Sequence, residues 1–306
     1  LGLIYCFNRP IALYHVPLNT ESATAVKLEL NVGDEACKHV ALSRSPRFSP
    51  DGKKIAFLAT RDVATHNTCN LLCILDWETK QTTTVIDIVH EPQQDYSSPA
   101  SAQTAFNGLF VSTLSRKCWS ADGRFIFFDT QMGSRVVWKY VDVASKRIHS
   151  PKYVEGDGIA CETIIDRDGS FVLVSVTSPV RPSSVYLVSI DLAAGGAYKQ
   201  APIVIEDQKH ATTYIKDWKI VSIPTEVSDG PAALKPQPET PISLVDHLTP
   251  QITSDAPFEA IVLLPNTPAP ESGYPVVLDL HGGPHGASLV MYRAIYDYIA
   301  SLGFAI

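Results

Sequence analysis

The chain has 306 residues, of which 45% are hydrophobic and 19% are charged, as in a globular protein of one large or two ordinary domains. Its formal net charge of −7 argues against nucleic acid or an anionic membrane surface as the main partner. The sequence has no apolar run near the roughly 20 residues that span a bilayer, so we expect no membrane partner.

The first five residues lack the basic start and the long apolar core of a signal peptide. They read as a strand entered midway, so we expect the natural chain to begin upstream.

The six cysteines form no C-x-x-C pair, and Cys69 and Cys73 are four positions apart. The nine histidines show no metal-binding spacing. We therefore expect free, mostly buried thiols in a reducing cytosol, with no metal site.

Three segments of the first two thirds share one design: an apolar or aromatic strand end, a turn closed by Asp-Gly, and a β-rich run. The three pairs are Asp51-Gly52, Asp122-Gly123 and, in a weaker copy, Asp168-Gly169. Asp-Gly between two β-prone runs predicts a hairpin, because glycine adopts a positive φ without steric cost.

A second hairpin is predicted after each of these turns, where an apolar strand ends at Asp76, Asp142 or Asp191. Two hairpins make four strands, and four-stranded units that recur every 40–50 residues or so indicate β-propeller blades. We predict a partial propeller of three to four blades over residues 1–207, with a surface loop within residues 90–103 and further blades upstream. A β-sandwich with tight turns stays open as the alternative, although sandwiches seldom repeat the same turn chemistry in register.

The pattern changes after about residue 205, and residues 208–306 are predicted to begin an α/β domain. Strands are predicted over residues 214–224, 258–265 and 275–280, with a proline-rich stretch over residues 231–241. A further strand is predicted to open at residue 304. Strand, strand, strand, helix, strand is the order expected at the entry to an α/β sheet.

A helix is predicted over residues 289–301, with Ser288 as its N-cap and Gly303 as its stop. Its apolar residues recur at helical spacing: Leu289, Tyr292, Ile295, Tyr296, Ile299 and Leu302. We expect Tyr292 and Tyr296 to pack in the core rather than to contact a substrate.

The strongest functional motif is residues 281–286, His-Gly-Gly-Pro-His-Gly, which we call the glycine loop. In the α/β-hydrolase layout a loop of this type follows the third strand and donates a backbone N–H to the oxyanion hole. We expect the Gly283 N–H to be the donor, because glycine lets the backbone approach a substrate closely. Gly282 is expected to supply the turn and His281 to support the loop. His285 is disfavoured as a catalytic base, since the triad histidine comes last in this layout.

Five segments together resemble the prolyl oligopeptidase family of serine peptidases, and within it the acylaminoacyl-peptidase branch. They are residues 45–51, 73–77, 118–122, 258–263 and 281–285. The resemblance implies a β-propeller that caps an α/β-hydrolase domain and restricts access to small peptides. It implies a cytoplasmic, homo-oligomeric exopeptidase that releases an N-acylated amino acid from short peptides, without a metal or an organic cofactor.

Only the oxyanion-hole position, Gly283, carries over from that family, with Gly282 and His281 as loop support. The sequence contains no G-x-S-x-G nucleophile turn, and the family's catalytic Asp and His have no counterparts here. We therefore expect this segment alone to be inactive. Two alternatives stay open: another peptidase of the same family, such as a prolyl endopeptidase or dipeptidyl peptidase, and a non-catalytic propeller that binds partners.

Overall fold

A computed structural model describes residues 11–18, 23–32, 40, 42–61, 69–89, 105–151, 160–192, 197–207, 213–223, 258–282 and 286–306. Regular structure in these ranges is almost entirely β. Several features predicted from sequence lie outside the described residues: the first five residues, the loop of residues 90–103, the proline-rich stretch, and Gly283, Pro284 and His285.

The first sheet follows a short hairpin of β1 (Tyr14–His15) and β2 (Val26–Lys27). It is an antiparallel meander of four strands with a fifth, β3, parallel to β7 at its edge. The five strands are β3 (Asn31–Val32), β4 (Leu42–Phe48), β5 (Lys54–Thr60), β6 (Leu71–Asp76) and β7 (Gln81–Ile86).

The second and third sheets are built in the same way. The second contains β8 (Phe125–Met132), β9 (Arg135–Asp142) and β10 (Ile148–His149). An isolated antiparallel bridge between Trp119 and Ile126 places the chain before β8 as a fourth, very short strand at the edge of this sheet. The third contains β11 (Cys161–Asp168), β12 (Phe171–Ser178) and β13 (Arg181–Asp191), with β14 (Ala197–Tyr198) and β15 (Ile203–Glu206) both paired to β13. The predicted pairs of hairpins are confirmed in all three units.

The first hairpin turn repeats in atomic detail between the first two sheets. Ser49 Oγ donates to Asp51 Oδ1 at 2.6 Å, and Ser120 Oγ donates to Asp122 Oδ1 at 2.5 Å. The glycine after each aspartate has φ of +71° and +69° respectively. In the third sheet, Gly169 also has a positive φ, 55°, but the serine is missing from the sequence, which makes this copy the weaker one.

The second turn repeats as well. Asp76 Oδ1 accepts hydrogen bonds from the backbone N–H groups two and three positions on, at 3.1 and 2.8 Å. Asp142 Oδ1 does the same at 3.0 Å for both. Lys80 and Lys146 then take the left-handed conformation, each with φ of 59°. One carboxylate thus stabilises each turn, as expected for aspartate at a strand end.

The three sheets are stacked in chain order. Leu58 and Ile74 of the first sheet pack in one cluster with Ile126 and Phe128 of the second. The opposite face of the second sheet packs against the third in another cluster, which contains Phe127, Tyr140, Val174 and Tyr186. The middle sheet is therefore buried on both faces, whereas a two-sheet sandwich leaves one face of each sheet in solvent.

The C-terminal strands form a separate sheet. β16 (Ile215–Ile223) pairs antiparallel with β17 (Phe258–Pro265). Leu263 and Ile306 exchange both backbone hydrogen bonds, at 2.8 and 3.0 Å, which is the pattern of antiparallel strands. Val276 forms a parallel bridge with Ala305. In space the order is therefore β16, β17, residues 304–306 and residues 275–277.

The predicted helix is shorter than expected. Helix α1 (Ala294–Ser301) begins five residues late, and its N-cap residue, Arg293, has an extended backbone and no side-chain capping bond. The prediction of Ser288 as N-cap was wrong. The physical reason is that the backbone N–H groups of Val290 and Tyr292 are bound elsewhere, to the ends of strands in the second and third sheets.

The buried face of α1 also differs from the predicted stripe. Ile295 and Leu302 are each 57% exposed, whereas Asp297 and Ala300 are buried. Tyr296 does pack against the cluster of Ile215, Leu263 and Ala300, as predicted for a core residue. Gly303, with φ of +88°, ends the helix as predicted.

Candidate functional site

The glycine loop lies in a strand–loop–helix–strand unit. Val277 N–H donates to the Ala305 carbonyl at 2.8 Å, and Ala305 N–H donates to the Pro275 carbonyl at 2.9 Å. The strand before the loop therefore runs parallel to the strand after α1, which places the loop beyond the carboxyl end of its strand. Because residues 304–306 lie between β17 and residues 275–277, the strand order reverses here. Ligands of open α/β sheets bind outside the carboxyl ends of strands at such a reversal.

The described residues of the glycine loop are open to solvent. His281, Gly282 and Gly286 are all exposed. A Cβ built on Gly282 would meet nothing within 4 Å, and one built on Gly286 would lie 3.8 Å from the Gly282 carbonyl. The two ends of the loop are therefore close together, and the described residues beyond its chain neighbours leave free space around Gly282. The donor role of Gly283, which lies outside the described residues, and the supporting roles of Gly282 and His281 stay predictions.

A hydrogen bond between strand and helix fixes the N-terminal side of the loop. The Tyr296 hydroxyl on α1 donates to Asp279 Oδ2, two residues before the loop. Arg293 Nη1 donates to the same hydroxyl at 3.1 Å. Burial, and then the bond to Asp279, raise the pKa of Tyr296 above its ordinary value. Sequence reasoning missed Asp279, although an aspartate within the apolar run of residues 275–280 was the available signal.

The C-terminal side of the loop is fixed by the stacked sheets. Val290 N–H donates to the Ser134 carbonyl, in the turn between β8 and β9, at 2.8 Å. Tyr292 N–H donates to Thr177 Oγ1, near the end of β12, at 3.2 Å. Residues that follow the loop are thereby attached to both the second and the third sheet. No pattern in the sequence pointed to these contacts.

Helix α1 is attached to the C-terminal sheet through a buried acid. Asp297 is 8% exposed, and its Oδ1 accepts a hydrogen bond from Tyr214 N–H at 2.7 Å. Its Oδ2 accepts a hydrogen bond from the Tyr292 hydroxyl at 3.4 Å. The loop is therefore carried by a strand and a helix that are each held by named polar contacts.

The described residues show no metal centre, and Cys118 is not an activated thiol. Groups of histidine, cysteine or acidic residues that could hold a metal ion are absent from them. Cys69, Cys73, Cys118 and Cys161 are thiols that form no disulfide, as predicted, and all but Cys69 are buried. Burial raises the pKa of Cys118 to about 11, so this thiol is not an activated nucleophile. Within the described ranges, no helix has the length and apolar character needed to cross a membrane.

Residues 1–201 match the family described as "Acylamino-acid-releasing enzyme, N-terminal domain". The chain belongs to this family. The match covers all three stacked sheets almost completely and confirms the family resemblance inferred from sequence.

Similarity to individual proteins covers the whole of this chain and so includes the glycine loop, beyond the matched domain. The chain is 29% identical to the acylamino-acid-releasing enzymes from Rattus norvegicus and Sus scrofa, over all 306 of its residues. It spans 36% of the length of each of these relatives. A solved puromycin-hydrolyzing peptidase from Mycobacterium tuberculosis matches 87% of the chain and 42% of its own length, with 14% identity and a TM-score of 0.47.

Proposed function

We propose that the protein carrying this sequence is a serine exopeptidase that releases an N-acylated amino acid, such as an acetylated one, from the N-terminus of short peptides. The observation that carries the proposal is the glycine loop beyond the carboxyl end of a parallel strand, at a reversal of strand order, in a chain of this family. That is where an α/β-hydrolase holds the loop of its oxyanion hole.

The proposed domain organisation follows the change in architecture. Residues 1–207 are proposed to be part of a β-propeller, which is supported by three mainly antiparallel sheets, of five, three and five strands, stacked in order with repeated turns. Residues 208–306 are proposed to be the first part of an α/β-hydrolase domain. The parallel bridge between Val276 and Ala305, and the antiparallel pairs on either side of β17, support that assignment.

In the proposed chemistry, the Gly283 backbone N–H stabilises the negative charge that develops on the carbonyl oxygen of the bond being cleaved. Loss of one such donor typically lowers the rate about 10²- to 10³-fold. Gly282 leaves room for close approach of the substrate, since no atom of the described residues, apart from its chain neighbours, lies within 4 Å of a Cβ built there. His281 supports the loop. The serine nucleophile and its histidine and aspartate are proposed to come from residues outside these 306, because the sequence has no G-x-S-x-G turn.

The proposal also covers the cellular location, oligomeric state, cofactor need and substrate size of the enzyme. The family resemblance supports a cytoplasmic homo-oligomer that needs no metal or organic cofactor. The propeller is proposed to restrict access, so that short peptides enter and folded proteins do not.

The test is hydrolysis by the protein produced at its natural full length. We expect cleavage of an acetyl-alanyl reporter amide and much slower cleavage of the same reporter with a free amino group. Gly283→Pro, which removes the proposed donor, is expected to lower kcat about 10²- to 10³-fold. Gly286→Ala is the control, since its Cβ has ordinary contact distance to the Gly282 carbonyl.

Two results would overturn the proposal. Cleavage after internal proline without any need for a blocked N-terminus would indicate a prolyl endopeptidase. Complete lack of hydrolysis, together with tight binding of a protein partner, would indicate a non-catalytic binding module. The isolated 306-residue chain is expected to show no turnover.

A further inference from the structure

Two hairpin turns of the stacked sheets have the same Gly-Ser sequence but different surroundings. Gly133 and Ser134 join β8 to β9, and Gly169 and Ser170 join β11 to β12. Both glycines have a positive φ, 59° and 55°. A Cβ built on Gly133 would lie 2.8 Å from both carboxylate oxygens of Glu259, whereas one built on Gly169 would meet nothing within 4 Å. The first turn therefore holds a carboxylate from the C-terminal sheet.

Ser134 contacts two separate parts of the C-terminal unit. Glu259 Oε2, on β17, accepts hydrogen bonds from the Ser134 N–H at 2.7 Å and from its hydroxyl at 2.5 Å. The Ser134 carbonyl accepts the hydrogen bond from Val290 N–H at 2.8 Å. Hydrogen bonds to a charged acceptor are roughly twice as strong as neutral ones. One serine thus joins β17 to the segment that follows the glycine loop.

The position of this turn is set by the repeat. The Asp-Gly turns precede β5, β8 and β12, so they lie at one end of the stack. The turn at Ser134 follows β8 and another turn follows β12, so these two turns lie at the opposite end. Thr177, beside the latter turn, accepts the hydrogen bond from Tyr292 N–H. Two neighbouring sheets therefore present equivalent ends to residues 290–292.

We propose that Ser134 and Glu259 are positioning residues for the glycine loop. Glu259 holds the turn, the turn holds Val290, and Val290 lies four positions after the end of the loop. Asp279 and Tyr296 fix the other side of the loop. The catalytic consequence rests on the proposed function, in which an error of about 1 Å in a positioned group costs about 10²-fold in rate.

The first experiment measures hydrogen exchange in the full natural-length protein, in peptides that cover residues 286–293. Glu259→Ala is expected to speed exchange at Val290 at least about tenfold, because it frees the turn whose Ser134 carbonyl binds the Val290 N–H, whereas Tyr292, which is bound by Thr177, should change little. Glu259→Gln, which keeps an acceptor oxygen, is expected to have a smaller effect. Ser134→Ala should also speed exchange, and Ser170→Ala, in the matched empty turn, should not. Unchanged exchange in Glu259→Ala overturns the proposal.

The second experiment separates positioning from general stability. At a temperature where every variant is fully folded, we expect Glu259→Ala and Ser134→Ala to lower kcat on the acetyl-alanyl reporter about 3- to 30-fold with KM within about twofold, because the loop acts in the transition state. Unchanged kcat despite faster exchange overturns the positioning role. If the wild-type protein hydrolyses nothing, the proposed function fails, while the exchange data still decide whether the turn holds Val290.

Discussion

Asp297 and Tyr214 are joined by a 2.7 Å hydrogen bond between a helix and the start of a strand 83 residues earlier. The acceptor is a buried carboxylate oxygen of α1, and the donor is the backbone N–H just before β16. This contact fixes the helix that follows the glycine loop against the sheet that carries the loop. An acidic side chain is tolerated on the buried face of the helix because the Tyr214 N–H gives it a hydrogen-bond partner.

Replacement of Asp297 is expected to lower the stability of the C-terminal unit. Asp297→Ala leaves the Tyr214 N–H without its acceptor, which typically costs about 1–3 kcal/mol in the free energy of unfolding. Asp297→Asn keeps an amide oxygen at the same place and should cost less. Urea denaturation of the two variants measures the difference. Equal losses would show that the charge, rather than the acceptor, matters.

The two Gly-Ser turns provide a matched pair for alanine substitution. Gly133→Ala and Gly169→Ala both force a side chain into a positive-φ conformation, at a cost of roughly 1–2 kcal/mol each. Gly133→Ala should cost more, because its Cβ would lie 2.8 Å from the Glu259 carboxylate. Thermal denaturation compares them. A smaller loss for Gly133→Ala than for Gly169→Ala would contradict the observed packing.

Asp129 on β8 is expected to make stability depend on pH. Burial raises its pKa to about 7, although Oδ1 accepts a hydrogen bond from Ile164 N–H at 3.0 Å. Between about pH 4 and the folded-state value, the folded chain keeps a proton that the unfolded chain releases. The free energy of unfolding therefore falls as pH rises, by up to about 1.4 kcal/mol per pH unit. Asp129→Asn should remove this fall in urea denaturation series.

A second aspartate of the same sheet provides the control for that series. A hydrogen bond from the Ser120 side chain lowers the pKa of Asp122. Asp122 therefore contributes stability that is present above its unfolded pKa, about 4, and is lost as pH falls through the lower folded value. Asp122→Asn should alter the profile only below about pH 4. A change between pH 5 and pH 7 in Asp122→Asn would contradict this assignment.

The bond between Tyr296 and Asp279 is expected to affect the proposed reaction through the loop. Tyr296→Phe removes the hydroxyl that holds the strand end before the loop, and we expect kcat on the acetyl-alanyl reporter to fall about 3- to 10-fold. Tyr298→Phe, on the same helix with a side chain that is 60% exposed, is the matched control. Equal activity of the two variants would show that this bond is dispensable.

The stacked sheets were predictable from sequence because their turns are local. An aspartate that binds the N–H groups of the next few residues needs no distant partner, so Asp51, Asp76, Asp122 and Asp142 all appear in the sequence as turn signals. The third unit was correctly expected to be the weaker copy.

The start of α1 could not be predicted because it depends on distant partners. The spacing of apolar residues favoured a helix from Leu289, but Val290 and Tyr292 donate their backbone N–H groups to Ser134 and Thr177 instead. Those partners lie more than a hundred positions earlier, as does the partner of Glu259. Asp297 was missed for the same reason, since a buried acid is recognised only when its donor is known. Asp279 is exposed and lies 17 positions from its donor, Tyr296, so its signal was local and was overlooked.

The order of strands in the C-terminal sheet has a consequence for synthesis on the ribosome. Val276 bridges to Ala305, and residues 304–306 must enter between it and β17 before the sheet becomes continuous. Translation proceeds at about 5–20 residues per second. Residues 275–277 therefore lack their strand partner, residues 304–306, for roughly 2–6 seconds while about 30 further residues are made. During that interval the backbone of residues 275–277 lacks its neighbouring strand, and Val276, Leu278 and Leu280, which stay 70%, 77% and 77% exposed even with Ala305 in place, form an apolar segment that a chaperone is able to bind. Pausing of translation in this region is therefore expected to favour aggregation.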